Sequence, residues 1–186
     1  YAYFNLVRLF GRVPLIDSAG GPANVAQSSA AQIYTFIENE LNFARTNLQA
    51  SWDPTKFPGR VTSGAANGLL AKVYLTQKKW GMALAAANTV ITSGQYNLST
   101  PYTTIFGETG ENSKESVFEV QATASAAVPV INGVQYAQIQ GVRGSGVWDL
   151  GWGWNMPTTY LEAAYEANDP RKARTILYTN AGATTV

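Results

Sequence analysis

Three features of the sequence predict a mainly α-helical fold. Apolar residues recur at helical spacing from Ile33 to Leu48, behind a capping box at Ser29-Ala-Ala-Gln32. Two adjacent stretches, about 63–78 and 80–93, carry the same periodicity, with small residues where two helices would cross closely. Past Tyr96 the periodicity fades into a glycine-rich stretch that holds tryptophans and one short strand signal. The expected architecture is therefore helical hairpins with a long loop-rich face and a minor strand.

Taken in order, residues 2–10 place Phe4, Leu6, Val7 and Phe10 at helical spacing, and Gly11 is a natural stop because it accepts the left-handed conformation cheaply. Arg12 to Ile16 reads as extended, since Val13 precedes a proline. Residues 18–28 form a loop of small residues. The capped helix follows, its stripe built from Ile33, Phe36, Ile37, Leu41, Ala44 and Leu48. Residues 52–59 are a loop interrupted twice by proline, with Trp52 expected to lie as a lid over the helices.

The hairpin comes next. Its first arm carries Ala66, Leu69, Leu70, Val73 and Tyr74, and its second carries Ala83, Leu84, Ala87, Val90 and Ile91 until Gly94. Trp80, at the start of the second arm, reads as core packing. Ala71 with Tyr74, then Ala83 and Ala87 beyond the turn, follows the tetratricopeptide spacing of small and aromatic positions. One such hairpin cannot bury its apolar face alone and needs neighbouring helices. Val117-Phe-Glu-Val-Gln121 reads as a short strand, Pro157 as the opening of a helix to about Ala167 with Leu161, Ala164 and Tyr165 inward, and Asn168–Arg171 as a turn with an Asp169–Arg171 ion pair. The organisation expected is a helical scaffold over 1–96 and a loop-rich binding region over 97–186. The two make one continuous domain, and both ends read as cut through helices.

Composition narrows the function. The 186 residues are 46% hydrophobic but only 13% charged, against ~25% charged in an ordinary soluble domain. Lys and Arg total 13 and Asp and Glu 12, a net charge of +1 with no basic cluster, which argues against nucleic acid. His and Cys are both absent, so His-based triads, thiolate nucleophiles and the usual zinc sites are excluded. No cofactor is implied. A polar, weakly charged surface suits a neutral ligand such as a sugar.

An ordered set of segments resembles the SusD/RagB family. The set begins with Leu6-Val-Arg-Leu-Phe-Gly-Arg-Val-Pro-Leu15 and Ile33-Tyr-Thr-Phe-Ile-Glu-Asn-Glu-Leu41. Gly59-Arg-Val-Thr62, Leu70-Ala-Lys-Val-Tyr-Leu75 and Ile91-Thr-Ser-Gly-Gln-Tyr96 continue it. Asn112-Ser-Lys-Glu-Ser-Val-Phe-Glu-Val-Gln121 and Asp169-Pro-Arg171 complete it, so that it spans nearly the whole chain. The resemblance implies tetratricopeptide-like hairpins under a loop-rich ligand face. It implies a lipid-anchored protein on the outer surface of a Bacteroidetes outer membrane, capturing oligosaccharide for a TonB-dependent porin of the SusC type without catalysis. The lipid-bearing Cys, the signal peptide, the first helices and the C-terminal half of such proteins are not in these residues, so the chain reads as an internal piece.

The candidate binding residues are Trp148, Trp152 and Trp154, with Asp149, Arg143, Asn155 and Tyr136 beside them. Sugars present C–H faces that pack on flat rings, and tryptophan offers the largest such platform. Asp149 and Arg143 can meet hydroxyls, while Asn155 can donate and accept together. Gln138 is a weaker candidate. The bland alternative is that the indoles pin a loop to the helices. Two other functions stay open: a tetratricopeptide-like adaptor with a protein partner, and a glycoside hydrolase, which would need a pair of acids at controlled separation. The acids Glu38, Glu40, Glu108, Glu111, Glu115 and Glu119 read as solvated surface rather than such a pair.

Overall fold

The computed structural model describes residues 1–22, 24–123, 133, 135–144, 149 and 151–178. The chain divides into two compact units, Tyr1–Val120 and Gln121–Val186. The change of sequence character at Tyr96 does not coincide with that division, for the Asn97 N–H donates to the Lys114 carbonyl at 3.0 Å inside the first unit.

In the first unit, α1 (Ala2–Phe10) buries Phe4 and Val7, and Gly11 ends it at φ 69° with its N–H on the Val7 carbonyl. Val13–Pro14 (β1) pairs antiparallel with Gln27–Ser28 (β2), Val13 facing Ser28. The capping box of α2 (Ala30–Asn47) closes in both directions, Gln32 N–H to Ser29 Oγ at 3.3 Å and Ser29 N–H to Gln32 Oε1 at 2.9 Å. Thr62 caps α3 (Ser63–Thr76), its Oγ1 accepting the Ala65 N–H at 3.1 Å. A tight turn with Lys78 at φ 60° leads into α4 (Trp80–Ile91).

Two buried clusters hold these elements. Phe4, Val7, Val13, Ile33, Ile37 and Val73 join α1, β1, α2 and α3, and Leu70, Tyr74, Ala83 and Ala86 join α3 to α4. Leu41 packs against both. Each fully buried Ile, Leu or Val contributes roughly 1.5–3 kcal/mol, so periodicity in the sequence translates directly into stability here. At the hairpin turn Lys79 Nζ and Gln77 Nε2 both reach Glu38 Oε1, at 2.6 and 2.7 Å, fastening the turn to α2.

Several expectations are corrected. Trp80 is 60% exposed rather than core, and Leu84 and Ile91 of the same helix are 63% and 71% exposed. The reason is the close approach of α3 and α4: Ala83 and Ala86 occupy the contact, which turns the larger residues outward. Residues 117–121 form no strand. Val117 instead lies over α3, close enough that a Cβ at Gly68 would sit 3.3 Å from it, and Phe118 and Val120 stay 46% and 74% exposed. The hydrophobic alternation is present at 117–121, but a strand also needs a partner, and the pairing in this unit is between β1 and β2. Short α5 (Tyr102–Ile105) and a 3-10 turn at Glu108–Gly110 complete the unit.

The second unit contains α6 (Gln135–Gln140), α7 (Thr159–Ala163) and α8 (Pro170–Thr175). The helix expected from Pro157 starts later and ends sooner, because Thr158 caps it by accepting the Leu161 N–H at 3.4 Å. Its inward face is also corrected, since Leu161 is 42% exposed and Ala164 is exposed. The turn expected at Asn168–Arg171 closes earlier, with Asn168 at φ 66° and the Asp169 N–H on the Glu166 carbonyl at 3.2 Å, and Asp169–Arg171 open α8. Asp169 caps it through the Arg171 N–H at 2.9 Å and grips the Arg171 guanidinium, while Pro170 takes the first helical position. Among the described residues of this unit, Ile176 alone is buried.

Candidate functional site

The site is built on α6. A helix this short leaves its last carbonyls without intrahelical partners. The chain returns at 151–154 and supplies the missing donors. The Trp152 N–H reaches the Gln138 carbonyl at 3.0 Å and the Trp154 N–H the Ile139 carbonyl at 3.0 Å. The Gly153 N–H reaches the Gly141 carbonyl and the Gly151 N–H the Val142 carbonyl, both at 2.9 Å. The tryptophan segment is thus the C-terminal cap of α6.

This pairing explains the glycines. A Cβ at Gly151 would be driven into the Gln138 carbonyl oxygen and to 2.8 Å from the Gly141 Cα. Gly153 sits at φ +71°, and a Cβ there would fall 2.8 Å from the Arg143 Cβ. Gly151 is therefore required by backbone contact with the end of α6, and Gly153 by its left-handed backbone and its approach to Arg143, while the two tryptophans turn outward. Trp152 is 54% exposed and Trp154 65% exposed. Tyr136, in the first turn of α6, is 65% exposed. Asn155 follows at φ 57°, a conformation asparagine tolerates better than most residues. Arg143 and Asp149 are exposed. Trp148 lies outside the described residues.

The structure thus brings Trp152, Trp154 and Arg143 onto one frame whose helix also carries Tyr136. Gln138, weighed for its side chain, contributes its main-chain carbonyl. Sequence reasoning located the indoles but missed the frame, because the helix beneath them is one short segment, Gln-Tyr-Ala-Gln-Ile-Gln, too brief for any periodicity to register.

Trp52 is not a lid on the helices. Its Nε1 donates to the Val61 carbonyl at 2.8 Å, the Arg60 guanidinium lies over its ring at 4.2 Å, and Phe57 meets it edge-on at 5.9 Å. Arg60 also lies 4.8 Å from the Phe57 ring centre, so the two aromatics fix one guanidinium. Carboxylates with displaced acidity are displaced downward. The Thr55 hydroxyl lowers Asp53, the Tyr178 hydroxyl followed by the Lys172 ammonium lowers Glu162, and the Arg171 guanidinium lowers Asp169. Each is held as an anion, the opposite of what a proton-donating acid requires. Among the described residues no helix is long and apolar enough to cross a membrane.

The family described as starch-binding, associating with the outer membrane, matches residues 1–75. A SusD-like protein of Bacteroides ovatus is 32% identical over 138 residues, covering 64% of this chain and 24% of its own length. A solved SusD-like protein from Bacteroides fragilis superposes with a TM-score of 0.71 at 30% identity, over 88% of this chain and 33% of that one. The chain belongs to the SusD-like family. It spans a quarter to a third of the length of these relatives. Another SusD-like structure, described as laminarin-binding, is 35% identical with a TM-score of 0.61, over 65% of this chain and 28% of its own. The family match falls on α1, α2 and most of α3, the part of this SusD-like chain that holds the whole of the first buried cluster. The expected helical architecture is the one observed, with its strand pair at β1–β2.

Proposed function

We propose that this SusD-like chain binds oligosaccharide without cleaving it, through Trp152, Trp154 and Tyr136, with Arg143, Asp149 and Asn155 as polar neighbours and with Trp148, adjacent in sequence to Asp149, as a further candidate indole. One observation carries the reading: two indoles held outward by backbone hydrogen bonds to α6 that use none of their side-chain atoms. Large aromatic rings are ordinarily among the best-buried side chains, so fixed, exposed indoles are ready-made platforms for the C–H faces of a sugar. Pre-fixing them also lowers the ordering cost of binding. The laminarin-binding relative supports a glucan-type ligand. The family description supports a place at the outer membrane. A lipid anchor at the bacterial surface and delivery to a TonB-dependent porin of the SusC type complete the proposal.

Isothermal titration calorimetry of the full-length protein against laminari-oligosaccharides and a panel of other soluble glycans tests the reading. Binding is expected with one of them and is expected to vanish in Trp152→Ala/Trp154→Ala. Unchanged affinity in the double variant overturns the site.

The outer face of α4 favours a second, compatible role. Trp80, Leu84 and Ile91 share one side of that helix and are 60%, 63% and 71% exposed. A face of this kind suits a protein partner, as the adaptor reading requires. A pull-down that retains the porin while every glycan fails to bind would make it the main function.

A further inference from the structure

The first unit contains a cavity of about 430 Å³, within the usual range for small-molecule sites. Its walls include Trp52, Phe57, Arg60, Tyr96, Ser113 and Lys114. Aromatic surface and polar groups alternate there. The Tyr96 hydroxyl lies 3.0 Å from Thr62 Oγ1. The Ser113 hydroxyl oxygen is buried and has no hydrogen-bond partner. A buried hydroxyl without a partner is unusual in a folded protein and marks a place where a ligand or water completes the bonding.

The charges at this cavity are unbalanced. Arg60 lines it with its guanidinium already ordered by stacking on Trp52 and Phe57, at 4.2 and 4.8 Å. Among the described residues, the ion pairs Lys56–Asp53, Lys79–Glu38, Arg171–Asp169 and Lys172–Glu162 include neither Arg60 nor Lys114. The acid in the wall, Glu119, is turned onto the Asn112 N–H at 2.9 Å and the Ser116 hydroxyl. Two cations, a free buried hydroxyl and a ring-lined wall fit a ligand that carries one carboxylate on a hydroxylated ring.

We propose that this cavity is a second carbohydrate site, selective for the carboxylate-bearing unit of an acidic glycan, a hexuronic acid. Arg60 and Lys114 take the carboxylate. Guanidinium and carboxylate match in bidentate geometry, and the stacked aromatics reduce the entropy lost on binding. Ser113 takes a ring hydroxyl. The site goes beyond the tryptophan-loop reading and does not depend on it, since the two lie in different units.

The test compares methyl β-D-glucuronide with methyl β-D-glucoside by calorimetry on the full-length protein, in wild type and in Trp152→Ala/Trp154→Ala. The two probes differ only at the C6 carboxylate. The glucuronide is expected to bind about tenfold or more tightly than the glucoside, equally in both proteins and less tightly as salt rises. Lys114→Gln is expected to lose about tenfold in glucuronide affinity. Ser113→Ala is expected to weaken it severalfold while leaving Tm unchanged or raised, because the hydroxyl has no protein partner to lose. Arg60 is left intact because its stacking also holds the 52–60 loop. Equal affinity for the two probes, no glucuronide binding, or inorganic sulfate binding as tightly as the glucuronide would each overturn the proposal. Loss of glucuronide binding only in the tryptophan double variant would move the ligand to the other site. Failure of the laminari-oligosaccharide experiment leaves this proposal standing.

Discussion

The two compact units are held together by different forces. In Tyr1–Val120 stability comes from apolar side chains that leave water entirely, with Ile33, Leu70 and Val73 at 0% exposure. In Gln121–Val186 the described residues are held mostly by polar contacts: the four amide bonds onto α6 and the two residues that follow it near its end, the Thr158 and Asp169 caps, and the Tyr178–Glu162–Lys172 cluster. The difference teaches where recognition can be placed. A side chain committed to the core cannot face ligand, whereas a segment fixed by its backbone leaves its side chains free.

The strongest way to break that contrast is to exchange its consequences. Leu70→Ala removes a fully buried side chain between α3 and α4 and is expected to cost about 2–5 kcal/mol of stability, read from denaturant unfolding, with no direct effect on glycan contacts. Trp152→Ala/Trp154→Ala is expected to leave the unfolding midpoint within about 0.5 kcal/mol while glycan binding disappears, since substitutions of exposed side chains rarely matter to stability. A large loss of stability in the tryptophan variant would show that the indoles are scaffold.

Gly151→Ala sharpens the comparison. Its methyl group would meet the Gln138 carbonyl, so the capping of α6 must give way. A loss of roughly 1–3 kcal/mol is expected, confined to this unit and read as faster amide hydrogen exchange at residues 151–154. Glycan affinity should fall with it, although no ring has been altered. Exchange rates unchanged from wild type would mean that the hydrogen-bonded frame does not hold the segment.

The same contrast governs what was legible in the sequence. The capping box at Ser29–Gln32, the stop at Gly11 and the apolar stripe through Ile33 and Ile37 follow from local rules, and the structure has each of them. The face of α4 was misread because Trp80, Leu84 and Ile91 look like core by hydropathy alone. Only the close α3–α4 contact at Ala83 and Ala86 decides which side is in. The strand expected at 117–121 had the right alternation, yet pairing is non-local and no sequence rule supplies the partner. At the candidate site the residue types were visible, since Gly-Trp-Gly-Trp is conspicuous. The reason for the glycines was not, because it lies in close approach to the end of a six-residue helix and to the residues 141–143 just beyond it. The cavity at Trp52 was hidden for the same reason, assembled from residues near 52–62, 95–96 and 112–119 that only the fold brings together.

The smallest effect expected comes from acid. Glu162 accepts the Tyr178 hydroxyl at 2.8 Å and pairs with Lys172 at 3.2 Å, and these contacts hold its carboxyl below the ordinary value of 4.5. A folded-state pKa below the unfolded one means that the unfolded chain binds the proton more readily. The stabilisation from Glu162 is therefore complete above that ordinary value and is lost as pH falls through the lower, folded-state pKa. Because the group is exposed, the loss should be slight and should shrink in high salt. The partner behaves with the opposite sign: donation to Glu162 raises the Tyr178 phenol, whose contribution is present below its ordinary value of 10.0 and is lost as pH rises through the higher value in the folded protein. Glu162→Gln should flatten both arms of a Tm-against-pH curve while leaving Leu70→Ala just as damaging, because the hydrophobic clusters of the first unit contain no titrating carboxyl. A curve with unchanged arms would show that this cluster does not contribute to holding the second unit.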